Sequence, residues 1–204
     1  MDTEKQLKEI KQSFRQMMDG KVAQSMRDKG LDYHLNWGAT LPRLREKADI
    51  IGNDYDLAIA LWKENVRECK ILATMIMPPN EVLPEVIDIW MEQTPTQEIA
   101  EQAAFNLYQH LPFAPEKAYM WIASDKELYQ LCGFHILSRL FMNSQEPNER
   151  GINEFIDQAL AALQGDSIAV RKAAMASMQR FAELGLVYQR LAKSAIKTVN
   201  LDFL

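Results

Sequence analysis

The stretch Asp54–Met77, DYDLAIALWKENVRECKILATMIM, decides how this chain is read. Its apolar residues recur with helical spacing on both sides of a break near Asn65, so it reads as two helices, and Pro78-Pro79 ends the second. A pair of short helices joined by a tight turn cannot bury its apolar faces alone. The flanking sequence has to supply more of the same unit.

Upstream, a helix over about 3–19 carries Leu7, Ile10, Phe14 and Met17 on one stripe and stops near Gly20. A short helix around 21–29 leads into the loop Gly30 to Thr40, which holds Tyr33, His34, Asn36, Trp37 and Gly38. Thr40 is placed to cap a helix of about 41–51, with Pro42 in its first turn and Gly52 just past its end. Downstream, Pro84 opens a helix of about 84–93. Thr94-Pro95-Thr96-Gln97 has the form of a capping box for a helix of about 95–110. Pro115 starts another short helix, and Ser124-Asp125-Lys126-Glu127 is a second capping box ahead of a long apolar helix to about Met142. Helices of about 151–164 and 167–184 stop at Gly165 and Gly185, and a last one covers about 187–199. In that last helix Val187, Leu191 and Ala195 form the stripe read as buried. Leu61, Leu72, Ile99, Leu107, Leu137 and Leu160 are the expected interlayer core.

From Thr40 onward these eleven or twelve helices fall into pairs spaced by about 35–40 residues. The expectation is an all-α superhelix, a solenoid of helical repeats. It forms a single domain, with capping helices and a loop over 1–38, repeats over 39–185 and a C-terminal helix over 186–204. Composition agrees. Ala and Leu supply 44 of the 204 residues, while Val and Thr supply 13, which favours helix and argues against sandwiches and barrels. Two cysteines, Cys69 and Cys132, fit a reducing compartment and cannot make a tetrathiolate site. The apolar runs are too short to span a membrane, and Met-Asp-Thr-Glu-Lys begins no signal region. A cytoplasmic location is expected.

The formal charge of −5 conceals a gradient. Residues 51–127 hold 13 acids against five bases, whereas 171–204 hold six bases against Glu183 and Asp202. Arg190, Lys193 and Lys197 lie within one arc of the last helix, and Arg171 and Lys172 precede them. Such a stripe is either a solvated face or a contact for phosphates or an acidic partner. Neither metal nor cofactor chemistry is expected: His34, His110 and His135 are far apart, Cys132 with His135 lacks a second ligand pair, and no phosphate-binding glycine loop, HExxH or GxSxG occurs. Trp37, Trp62, Trp90 and Trp121 recur roughly once per helix pair. Each reads first as an interlayer anchor and second as a surface for base stacking.

The stretch Asp56–Ala73, with Leu61-Trp62 ending one helix and Arg67-Glu68 opening the next before Leu72-Ala73, resembles the AlkD-type DNA alkylation repair proteins, a family of HEAT-like repeats. Gly38–Arg45, Trp121–Asp125 and Val170–Ala173 are similar to other segments of that family, so the resemblance covers about residues 35–185. It implies a superhelix whose concave face cradles duplex DNA, and active members that excise cationic 3-methyladenine and 7-methylguanine without metal or cofactor. Their catalytic pattern carries over in part. Where they have Trp-x-x-x-Asp, this chain has Gln97 and Glu101; where they have paired arginines after an aromatic, it has Gln130, Leu131 and Cys132 after Tyr129; where they have a later Trp, it has Ala176.

Excising a cationic base takes aromatic walls, a carboxylate for the developing sugar cation and an anchor on the phosphate. The carboxylate, as Glu101, and one aromatic, Tyr129, are retained; both cations and the aromatics at Gln97 and Ala176 are lost. Three readings follow: a non-catalytic repeat protein that binds duplex DNA weakly, through Arg171, Lys172, Arg190, Lys193 and Lys197, or a protein partner on its concave face; a glycosylase using Glu101; and an unrelated helical adaptor.

Overall fold

The computed structural model describes residues 2–199, and most of these lie in helices. A single parallel bridge, Leu35 to Val66, is the only extended pairing among the described residues. The chain gathers into two compact units divided after Leu107.

The first unit contains α1 (Thr3–Phe14), α2 (Gly20–Asp28), α3 (Leu41–Ile51), α4 (Tyr55–Lys63), α5 (Arg67–Ile76), α6 (Pro84–Glu92) and α7 (Gln97–Asn106). Three of the starts are fixed by an aspartate cap. The carboxylate of Asp2 accepts from the Glu4 N–H, that of Asp19 from Lys21 and Val22, and that of Asp54 from Leu57, so orphan donors of α1, α2 and α4 are satisfied. Gly52, at φ 74°, closes α3 in the left-handed region that favours glycine. The core of the unit is centred on α5, where Cys69, Ile71, Leu72, Ala73 and Ile76 are fully buried against α3, α4 and α7.

The second unit contains α8 (Ala114–Ile122), α9 (Glu127–Met142), α10 (Glu149–Gln164), α11 (Ile168–Glu183) and α12 (Leu186–Thr198). Asn148 caps α10 through Gly151 N–H, and Ser167 caps α11 through Val170 N–H. Helices α8 and α9 approach closely because Gly133 has no side chain. A Cβ there would stand 2.8 Å from the Ile122 side chain and 2.9 Å from the Ala118 carbonyl oxygen. Phe141, Phe155 and Phe181 meet in the interior, with ring centroids 5.0–5.5 Å apart.

The two-helix reading of Asp54–Met77 holds, with the break at Glu64–Val66. Helices α5, α7, α9 and α11 begin at residues 67, 97, 127 and 168, so the spacing is nearer 30 in the first unit than the expected 35–40. Four local readings need correction. The α7 cap is Thr96, whose hydroxyl accepts from Ile99 N–H, so Pro95 lies outside the helix and Thr94 bonds back to the Trp90 carbonyl instead. Ser124 accepts from Lys126 N–H and does not cap α9, whose N-cap is Lys126. Val187 and Leu191 are exposed, and α12 is buried through Ala192 and Ile196. Of the six expected interlayer leucines and isoleucines, Leu160 is only half-buried, while the other five are at most 1% exposed.

Candidate functional site

Helix α7 presents the carboxylate singled out by the sequence. Gln97 and Glu101 stand one turn apart on the same face, Gln97 exposed and Glu101 half-buried. The Gln97 carboxamide donates from Nε2 to Glu101 Oε1 at 2.8 Å. Gln97 therefore holds one oxygen of the Glu101 carboxylate. The positions aligned with the family's cations fare differently from each other. Leu131 and Cys132 are buried in α9, and burial pushes the Cys132 thiol far above its ordinary range. Gln130 is half-buried and donates to the Ser124 carbonyl at 2.7 Å. Ala176 is exposed on α11.

The five basic residues lie on two helices that pack together, α11 and α12. Arg171 and Lys172 are exposed near the N-terminus of α11, Arg171 closing its first turn, where the helix end adds positive potential. Glu127 approaches this end, accepting from Ser167 Oγ at 2.6 Å. Arg190, Lys193 and Lys197 are exposed along α12, beside the exposed Val187 and Leu191. None of the five has an ion-pair partner among the described residues, whereas Arg180 is paired with Glu183 at 2.7 Å.

A second arrangement went unread in the sequence. Arg67, at the start of α5, is 1% exposed and makes a bidentate pair with Glu98 of α7, Nε–Oε2 2.8 Å and Nη2–Oε1 2.6 Å. Its Nη1 donates to the Ala39 carbonyl at 2.8 Å and to Glu68 Oε1 at 3.2 Å. Glu68, fully buried, accepts the N–H groups of Trp37 and Ala39. Tyr33 donates to Glu98 Oε2 at 2.5 Å and accepts from the Thr96 hydroxyl. Burial works against the Arg67 charge, but the hydrogen bonds and charges of Glu98 and then Glu68 outweigh it, so its pKa lies above the ordinary value. Burial, followed by the Glu98 charge, drives the Tyr33 phenol well above its usual range. The network fastens the 30–40 loop to α5 and α7.

The tryptophans also separate. Trp62, Trp90 and Trp121 are buried, and Trp62 stacks on Trp90 at 4.2 Å with 4° between planes, with Lys70 Nζ 4.4 Å from the Trp62 ring centroid. Trp37 is only half-buried. Among the described residues no group of His, Cys, Asp or Glu is placed to hold a metal ion, and no helix is long and apolar enough to cross a membrane.

Helix pairs of this kind define an all-α protein of HEAT-like repeats. The sequence pattern of the DNA alkylation repair enzyme family matches residues 10–183, and the chain belongs to that family. A solved structure described as a new family of proteins related to the HEAT-like repeat DNA glycosylases, with affinity for branched DNA structures, superposes with a TM-score of 0.84 at 16% identity, covering 94% of this chain and 82% of that one. No curated protein sequence matches significantly.

Proposed function

We propose that this chain is a DNA-binding member of its family that does not excise alkylated bases. The observation that carries this is the Gln97–Glu101 hydrogen bond. A carboxylate must face an emerging sugar cation to stabilise it, and here one of its oxygens is already engaged by a neighbour with no aromatic face to receive a cationic base. Glu is also one methylene longer than Asp, and misplacement of about 1 Å can cost roughly 10²-fold. Buried Leu131 and Cys132 offer no anchor for a phosphate.

Binding is supported by the unpaired cations Arg171, Lys172, Arg190, Lys193 and Lys197, which suit a phosphate backbone. The matched structure's affinity for branched DNA supports branched over linear duplex as the ligand. The direct test is single-turnover release of labelled 7-methylguanine from duplex DNA, with Glu101→Gln alongside. Release equal to the DNA-only control is expected. Release above it that vanishes in Glu101→Gln would establish a glycosylase in which Glu101 is the carboxylate.

A further inference from the structure

We propose that a recess between α1 and the 30–40 loop receives an unpaired nucleotide, its base stacked on Trp37 and its phosphates held by Lys8 and Arg15. The inference rests on the DNA-binding reading above and names a site for it in the first unit. The recess measures about 530 Å³, within the roughly 300–1,000 Å³ usual for small-molecule sites. Leu7, Leu35, Val66 and Trp37 supply its apolar walls. Trp37 alone of the four tryptophans keeps part of its surface open, and an aromatic face accepts any base.

Charge complements the apolar walls. Lys8, Lys11 and Arg15 follow one another at i, i+3 and i+7 and all line the recess. Lys11 is neutralised by Glu64 at 2.5 Å, but Lys8 and Arg15 have no ion-pair partner among the described residues. The Arg15 guanidinium stands 6.0 Å from the Trp37 ring centroid, close enough to follow a base onto the ring while reaching its phosphate. One lining carboxylate, Glu4, is outnumbered by the two free cations, which leaves the recess net positive.

The wall is also held in place before any ligand arrives. Trp37 N–H donates to Glu68 Oε2 at 3.2 Å, and its carbonyl accepts Asp19 N–H at 2.9 Å. The next residue, Gly38, sits at φ 74° with Asp19 O 2.1 Å from where a Cβ would stand, so no other residue fits that approach. The Arg67 N–H fixes Leu35 through its carbonyl at 3.0 Å. Ordering this surface costs nothing at the moment of binding.

The test compares three probes, a blunt duplex, the same duplex bearing an unpaired thymidine flap, and free oligothymidylate. The parent is expected to prefer the flapped duplex, and the oligothymidylate to quench its tryptophan fluorescence. Trp37→Ala should weaken flap binding by roughly 5- to 150-fold while leaving blunt-duplex binding unchanged, and Trp37→Phe should retain most of the affinity. Lys8→Gln with Arg15→Gln should lower the log–log salt slope on the flapped probe by about 1.4. This double variant decides the matter if Trp37→Ala fails to fold. Equal binding of both duplexes by parent and variants would overturn the recess and leave the DNA reading standing. Failure of the parent to bind any probe would overturn both.

Discussion

Around α5 in the first unit the most completely buried side chains include a guanidinium and a carboxylate, Arg67 and Glu68, whereas the centre of the second unit is filled by Phe141, Phe155 and Phe181. The two interiors are equally closed to water but do different things. An aromatic cluster is non-directional and accepts rearrangement at modest cost. A buried ion network admits few geometries, because every unpaired member would carry its full desolvation penalty. In the first unit that selectivity is used on a loop: Tyr33, Trp37 and Ala39 all report to the same three charged side chains. Apolar packing alone would not fix an eleven-residue loop without regular structure.

The sharpest way to break this comparison is Arg67→Ala. It strands Glu68 and leaves Glu98 without its bidentate partner, and it should destabilise the first unit by about 3–5 kcal/mol, read from the shift in urea unfolding. A loss under about 1 kcal/mol would mean that apolar packing holds the loop after all. In the second unit Phe181→Ala should cost about 3 kcal/mol, because the ring touches Phe141, Phe155 and Tyr188 together. Unlike the Arg67 change, it should leave the environment of Trp37 untouched.

A smaller effect, about 1–2 kcal/mol, is expected for Tyr33→Phe, which deletes the hydroxyl bonded to Glu98 and Thr96. It also carries a pH signature. The phenol titrates higher in the folded protein than in the unfolded chain, so its contribution is fully present below about pH 10 and is lost as pH rises beyond that. The stability difference between parent and Tyr33→Phe should therefore shrink between neutral and strongly alkaline solution. A difference that stays constant would show that the hydroxyl is not held as described.

The mildest probe is chemical. Each unit holds one buried cysteine outside any disulfide, Cys69 in the first and Cys132 in the second. Burial raises Cys69 to about 12, with the Glu64 charge adding to it, so only roughly 10⁻⁴ of it is thiolate at pH 8. Neither thiol should react with a disulfide reagent in the native protein. On graded addition of urea, the order in which the two react reports which interior opens first.

Helix limits were legible because Gly52, Gly165, Pro84 and the apolar periodicities are local facts. The cap of α7 was misread because two threonines flank Pro95, and only the packed structure shows that Thr94 turns back to α6. The buried face of α12 was misread for a related reason: Val187-Leu191 and Ala192-Ile196 are both apolar stripes, and periodicity does not say which one meets a neighbour. Glu101 with Gln97 could be found through the family pattern, but their mutual hydrogen bond follows from side-chain geometry. Arg67 and Glu68 stand out in the sequence as part of the family pattern. That they are buried charges was invisible, since their partners Glu98 and Ala39 are some thirty residues away. Sequence spacing does not distinguish Trp37 from the other tryptophans; its half-open ring does.

The stacked pair Trp62 and Trp90 has an optical consequence. Two indoles stacked 4.2 Å apart with nearly parallel planes couple their electronic transitions and add an exciton signal to the ultraviolet circular dichroism, overlapping the helical bands. Helix content read from a single wavelength will therefore be biased in the parent and will change in Trp90→Phe without any change in backbone. The same proximity, with Lys70 over one ring, alters the emission of both indoles. Trp37, outside this pair and partly open to solvent, gives the emission most responsive to what enters its recess.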